Sequence, residues 1–321
     1  MKMQQLGAST IQATRVSYGC MKLGGTWDEK PTTSEHKQKA TRAVKVALDA
    51  GINFFDHADI YCRGKSESVF AEIIRELGLK RANLFIQTKL GIRFAGDPDA
   101  AAPARYDFSY EHIIKSAELS LKRLGTDYID VYLLHRPDAL AEPAEIAKAF
   151  DELHRAGKIR WVGVSNHNAG QIALLRKHLK QPILVNQVEL SLVHSHLVDS
   201  GMVHNQNKQS FGADGTLEYC RLHDITLQAW SPMGGGRAIG SDKDAKAIEL
   251  AKKVKEIAEK KSVSKDAIAL AWILKHPAKI QPIIGSLEPD RIKIAKEADG
   301  VELTREEWYA LHTAARGERM P

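Results

Sequence analysis

Gly51-Ile52-Asn53-Phe54-Phe55-Asp56-His57-Ala58-Asp59-Ile60-Tyr61 decides the fold. Helical periodicity over Ala40–Ala50 stops at Gly51, where a glycine supplies the left-handed cap that ends a helix. A short apolar run, Asn53–Ala58, follows and closes on a carboxylate, Asp56. The same unit recurs along the chain. Leu84–Leu90 closes on Lys89, Tyr128–His135 on His135, Ile159–Asn166 on Ser165 and Asn166. Ile183–Glu189 closes on Gln187, Ile225–Pro232 on Trp230 and Ser231, and Lys279–Ser286 on Gly285 and Ser286. Helical periodicity returns at Ser66–Leu77, Ser109–Leu124, Glu142–Ala156 and Asp244–Lys261, and Gly78, Gly125 and Gly157 repeat the part of Gly51. With a first strand at Val16–Cys20 there are eight strands and at least eight helices. Several strands are nearly continuous apolar runs, as parallel strands covered on both faces must be. Strict strand–helix alternation predicts an α/β fold with a parallel sheet. Eight units predict one (β/α)₈ (TIM) barrel over residues 1–321, with a β-hairpin at Met1–Thr14 across its bottom and an extra C-terminal helix. In such a barrel the C-terminal strand ends share one rim, so residues distant in sequence meet around one cavity.

Composition narrows the class. The 321 residues are 43% hydrophobic and 27% charged, as in an ordinary soluble globular protein. The net charge is +6 and the pI is about 9.0, yet Lys and Arg stand beside Glu and Asp on helices such as Lys252–Lys261. No dense basic stripe with interleaved aromatics is present, which speaks against nucleic-acid binding. A mild positive field does suit a polyanionic cofactor. Cys20, Cys62 and Cys220 have no zinc spacing, and an odd number speaks against a disulfide framework. Met1–Thr10 lacks the apolar core of a signal peptide, and no apolar run approaches a membrane span. The expectation is a cytoplasmic protein without membrane or nucleic-acid partners, a monomer or weak dimer.

The strand ends form an ordered set: Asp56 five positions before Tyr61, then Thr88-Lys89, Leu134-His135, Gly163-Val164-Ser165-Asn166, Asn186-Gln187 and Trp230-Ser231-Pro232. This set, over nearly the whole chain, resembles the aldo-keto reductases. His135-Arg136-Pro137-Asp138 and Gly234-Gly235-Gly236-Arg237 resemble a bacterial branch of uncharacterised oxidoreductases in that family. The resemblance implies NADP(H)-dependent reduction of a small aldehyde or ketone. It makes Tyr61 the general acid, Lys89 an ammonium that lowers the tyrosine pKa, Asp56 the partner of Lys89, and His135 the donor that orients the carbonyl oxygen. Taken singly, each residue has an ordinary structural reading, and Asp59 and His57 compete with Asp56 and His135.

The resemblance also implies a dinucleotide site. Ser165, Asn166 and Gln187 would meet the nicotinamide carboxamide, Trp230 would stack on the ring, and Cys20 and Met21 would lie beside the cofactor. Ser231, next to Trp230 in the family motif, joins the cofactor-binding set, and Met233, Gly234, Gly235 and Arg237 would approach the pyrophosphate. Gly285-Ser286-Leu287-Glu288-Pro289-Asp290-Arg291 resembles an adenosine 2′-phosphate site, with Ser286 and Arg291 in place, Gly285 where a lysine often lies, and Ile294 and Ala295 replacing a common adenine clamp. NADPH is therefore expected over NADH, with NAD possible. Arg291 could instead pair with Asp290 or Glu288. No glycine fingerprint of a doubly wound dinucleotide fold follows the first strand.

Three long connections, Gly91–Phe108, Ser191–Gly215 and Met233–Asp242, follow strands at this rim and should shape the substrate pocket. Met21, Trp27, Phe94 and Tyr61 are candidates for its apolar wall. Three rival readings stay open: a Schiff-base aldolase using Lys89, a cofactor-sensing regulatory subunit with slow turnover, and metal-dependent hydrolysis. The last is least supported, since His194, His196 and His204 lie in a polar loop without a carboxylate cluster, and no metal is expected.

Overall fold

The computed structural model describes residues 1–203, 215–241 and 244–320. Eight parallel strands close into a barrel in chain order: β1 (Ser17–Gly19), β2 (Phe54–Asp56), β3 (Phe85–Leu90), β4 (Ile129–Leu134), β5 (Ile159–Ser165), β6 (Ile183–Glu189), β7 (Thr226–Trp230) and β8 (Gln281–Ile284). Each falls inside its predicted apolar run. Seven runs extend past their strands by one or two residues at an end, most of them polar or glycine, because the read ends include rim residues that no longer pair in the ladder; β6 coincides with its run.

The hairpin predicted at the N-terminus is present. Met3–Gln5 pairs antiparallel with Gln12–Thr14. Its Leu6, Ile11 and Ala13 pack under the barrel against Phe54, Val131, Leu133, Leu184 and Val185. Gly7 makes the closure possible. Its φ is +51°, its N–H donates to Thr226 Oγ1 at 2.7 Å, and a Cβ there would lie 2.7 Å from the Leu184 carbonyl oxygen.

Helices surround the barrel: α1 (Ser34–Asp49), α2 (Lys65–Glu76), α3 (Tyr110–Leu124), α4 (Pro143–Arg155), α5 (Ala169–Arg176), α6 (His196–Val203), α7 (Thr216–Leu222), α8 (Ala245–Lys261), α9 (Lys265–Leu274), α10 (Pro289–Gly300) and α11 (Arg305–Arg316). Helix α1 starts at Ser34, six residues before the Ala40 read from periodicity. Its first turns are polar, and the decisive signal is Thr33, whose side chain accepts from the His36 N–H as an N-cap. The extra C-terminal helix is α11. It packs on α8 and α9, where Trp308 stacks on Trp272 at 5.3 Å and donates its indole N–H to the Trp272 carbonyl at 2.9 Å.

The described parts of the three long connections follow the C-terminal ends of β3, β6 and β7. In Gly91–Phe108, Ile92–Arg93 pairs antiparallel with Arg105–Tyr106, and Arg93 bridges Asp97 and Asp107 at 2.8 and 2.7 Å. Ser191–Gly215 enters α6, and its residues 204–214, His204 included, lie outside the described residues. Met233–Asp242 forms a 3₁₀ turn at Gly234–Ile239, and Asp242 lies outside the described residues. Among the described residues no helix is long and apolar enough to cross a membrane.

Candidate active site

Strands β2 and β3 run side by side, with Asp56 opposite Gln87, and this pairing brings the ends of both strands together. The carboxylate of Asp56 and the ammonium of Lys89 meet at 2.9 Å, and Lys89 is fully buried. Lys89 Nζ also donates to the His57 carbonyl at 2.6 Å and to the Tyr61 hydroxyl at 3.0 Å. Its three N–H groups are thereby all engaged. Tyr61 is returned over Lys89 by an unusual turn: Cys62 and Arg63 both lie in the left-handed region, at φ 49° and 58°. Non-glycine residues hold such conformations only when their surroundings enforce them. Here Cys62 Sγ binds the Met21 and Gly25 carbonyls, and Arg63 Nε donates to the Trp27 carbonyl. The Lys89 nitrogen stands 4.7 Å from the tyrosine ring centroid.

Burial and charge act against each other in this cluster. Burial works to discharge Lys89, but Asp56 and Tyr61 outweigh it and hold the ammonium above its ordinary range. Burial raises the Tyr61 hydroxyl more than Lys89 lowers it, so the net direction is upward. The sequence-based expectation of a lowered tyrosine therefore captures one of two opposing effects, and desolvation is the larger.

His135 lies across from Tyr61, with ring centroids 6.0 Å apart and planes at 81°. Burial, then the charges of Lys89 and Arg136, hold its imidazole well below the usual histidine range, so it is neutral near pH 7. Its Nδ1 is buried without a partner among the described residues. The competing pair stands elsewhere. His57 is buried edge-on to Phe70 and is pushed down to about 3 by burial. Asp59 is raised to about 8 by burial and by Glu67, so it is largely protonated at neutral pH.

A cavity of about 680 Å³ runs along the rim from Tyr61, His135, Trp27 and Ile92 to Gly285, Ser286, Arg291 and Ile294. Asp56, Met21, Ser165, Asn166, Gln187, Trp230, Ser231, Met233 and Gly235 also line it. Four of the catalytic and cofactor candidates are not on its wall. Lys89 lies behind Asp56 and Tyr61. Cys20 is fully buried, with its N–H on the Asp56 carbonyl. Gly234 is packed against Val193, and Arg237 turns back to donate to the Gly234 carbonyl. The amide groups near the proposed carboxamide position are partly satisfied by one another. Trp230 donates to Asn166 Oδ1 at 3.0 Å, Asn166 Nδ2 donates to Ser165 Oγ at 2.8 Å, and Ser165 Oγ donates to the Gln187 carbonyl at 2.8 Å. Arg291 is half exposed, and its ion-pair partner among the described residues is Asp266 at 3.9 Å, not Asp290 or Glu288.

Sequence reading named Arg136 only within the His135–Asp138 motif, not as a cavity residue beside Trp230, and missed the buried Gln87, Gln228 and Gln281 inside the barrel. The glutamines left a signal: each is a lone amide inside an apolar strand run. Phe94 meets Trp27 edge-on at 6.5 Å, behind rather than on the cavity wall.

The Aldo/keto reductase family profile matches residues 15–316. A 6-dehydroglucose reductase of Novosphingobium aromaticivorans is 35% identical over 99% of this chain and 97% of its own length. Oxidoreductase YdhF of Escherichia coli is 36% identical over 87% of this chain and 88% of its own. Among solved structures, a glycerol dehydrogenase of Gluconobacter oxydans superposes with a TM-score of 0.82 at 24% identity, over 99% of this chain and 96% of its own. The barrel, the rim cavity and these matches agree: the chain belongs to the aldo/keto reductase family, whose members are nicotinamide-dependent oxidoreductases acting on carbonyl compounds.

Proposed function

We propose that this chain reduces an aldehyde or ketone to the alcohol with NADPH, using Tyr61 as the proton donor. One observation carries the reading: the hydrogen-bonded run Asp56–Lys89–Tyr61 beside a neutral His135 at the head of the cavity. A bound nicotinamide supplies the hydride. Tyr61 keeps its proton in the resting site because burial disfavours the phenolate, and releases it to the developing alkoxide. Lys89, held charged by Asp56, stabilises the phenolate left behind. His135 donates a ring N–H to the carbonyl oxygen and so orients it, a donor aimed at the position where charge develops.

The residues present fit a dinucleotide. A cavity of about 680 Å³ lies within the range of cofactor sites. The Cβ position of Gly235 faces open space, which lets backbone come close to a phosphate. Trp230 and Gln187 would hold the nicotinamide end, and Ser286 with Arg291 a 2′-phosphate. Asp266 on the same wall opposes a dianion, which favours NADPH only as far as Arg291 shields it. The Schiff-base alternative is disfavoured because Lys89 carries its full set of protons on three acceptors. The relatives' names make an oxidised sugar aldehyde the first substrate to try. The test is a fluorescence titration with NADPH and NADH, then turnover on an aldehyde panel that includes 6-dehydroglucose. Tight NADPH binding without turnover on any carbonyl would favour a regulatory role instead.

A further inference from the structure

Barrel interiors are filled by branched aliphatic side chains stacked in layers. Here four strands each send a glutamine to the interior: Gln87 from β3, Gln187 from β6, Gln228 from β7 and Gln281 from β8, none more than 2% exposed. A buried amide without partners costs about 1–3 kcal/mol per unmade bond, so four together need a shared solution. Their N–H groups find it in one continuous chain, while Gln87 Oε1 has no partner among the described residues. Gln281 Nε2 donates to the Thr14 carbonyl at 2.7 Å, at the bottom hairpin. Gln228 Nε2 donates to Gln281 Oε1 at 2.9 Å. Gln228 Oε1 accepts from Gln87 and Gln187 at 2.8 and 3.2 Å. Both of those amides then donate to Asp56 Oδ1, at 2.6 and 2.9 Å.

The ends of the chain fix its sense. A backbone carbonyl only accepts, so Gln281 must turn its N–H to Thr14, and every amide above must then follow. At the top two N–H groups converge on one carboxylate oxygen, while Lys89 occupies the other. An ionised carboxylate satisfies that arrangement, whereas a proton on Oδ1 would face donors. We propose that this glutamine spine holds Asp56 as an oriented, ionised acceptor and thereby aims the Lys89 ammonium at Tyr61. Gln87 and Gln228 are positioning residues. Neither lines the cavity. The proposal rests on the carbonyl-reductase reading for its kinetic consequence, but not for its geometry.

Two variants test it. Gln87→Met removes one donor to Asp56 at similar volume, and kcat should fall about tenfold with aldehyde KM and NADPH Kd within about twofold. Gln228→Glu keeps shape and separates positioning from packing. As a neutral acid it accepts from Gln87 and Gln187 and donates to Gln281; once ionised it cannot donate, and it adds a charge beside the Asp56–Lys89 pair. Its kcat should match the native enzyme at acid pH and decline at lower pH than the alkaline fall the native enzyme shows when Tyr61 ionises. Should Gln87→Met fail to fold, Gln228→Glu carries the test alone. An ultraviolet difference titration of Tyr61, blanked with Tyr61→Phe, needs no turnover. A loosened Lys89 should move the phenol to higher pH in Gln87→Met, or at alkaline pH in Gln228→Glu. Absence of turnover in the native protein would overturn the reductase reading and leave this titration to decide on the spine. Unchanged kcat, pH profile and Tyr61 titration, with only thermal stability lost, would overturn the spine.

Discussion

Removing the charge of Asp56 or Lys89 should reveal an interaction that neither residue carries alone. Lys89 is fully buried and makes three hydrogen bonds, at 2.9, 2.6 and 3.0 Å. Lys89→Met strands a buried carboxylate with only two amide donors. Breaking a buried ion pair from one side costs about 3–5 kcal/mol, because the remaining charge is left uncompensated. Asp56→Asn looks conservative but is not. One oxygen of Asp56 faces the N–H groups of Gln87 and Gln187 and the other faces the Lys89 ammonium, so an asparagine amide meets a donor whichever way it turns. Its cost should match that of Lys89→Met. The double variant leaves no unpaired charge, and should recover about 2 kcal/mol relative to the sum of the single losses. Urea unfolding of all four proteins at neutral pH measures this directly. Additivity within about 0.5 kcal/mol would show that the pair is not coupled, and the account of Lys89 as a cation anchored by Asp56 would fall. All three variants should lack carbonyl reduction, so recovered stability without recovered activity is the full expected pattern.

Tyr61→Phe should lower kcat by about 10²-fold or more while NADPH affinity barely changes; retained turnover in purified variant would move the acid to another group. Arg291→Ala should weaken NADPH binding by about 1.5 kcal/mol, the low end for a charge-assisted hydrogen bond because the side chain is half exposed, and leave NADH nearly untouched. An equal effect on both cofactors would remove the phosphate role. Gly285→Lys places a cation where a Cβ meets only an ordinary contact at 3.6 Å, and should tighten NADPH by about two- to fivefold, as an exposed pair allows; no change in titrated affinity would argue that the phosphate lies elsewhere. Asp59 should make stability depend on pH. Its folded-state pKa of about 8 exceeds the usual aspartate value of 3.8, so the native state holds a proton that the unfolded chain releases. Stability should therefore fall as pH rises between those limits, with a slope of up to about 1.4 kcal/mol per pH unit, and level off above the folded-state value. Asp59→Asn should flatten that slope in urea melts taken from pH 5 to 8, and an unaltered slope would assign the titration to another group.

The sequence was most legible where local pattern and function coincide. Asn53–Ala58 could be placed as a strand because parallel barrel strands are apolar on both faces and end abruptly at the rim, and β2 lies inside that run. That same apolarity hides which residues point inward, so Gln87, Gln228 and Gln281 read as isolated oddities in three strands rather than as neighbours. Only barrel closure, which sets the stagger between β3, β7 and β8, joins them beneath Asp56. Family order gathered Cys20, Gly234 and Arg237 with the cavity residues, whereas the packing of the rim turns them away from it. The spacing from Asp56 to Tyr61 was visible in the sequence, but the left-handed turn at Cys62 and Arg63 that lays Tyr61 over Lys89 was not, since it depends on carbonyls of Met21, Gly25 and Trp27 some forty residues away, 41, 37 and 36 in turn. The direction of the Tyr61 shift is the clearest case. Sequence identified the ammonium that lowers it, but how far the hydroxyl is removed from water is a property of the folded chain alone, and burial outweighs the charge. Element order, strand ends and residue types follow from local chemistry along the chain; burial, side-chain direction and the balance between desolvation and charge follow from what the closed barrel brings together.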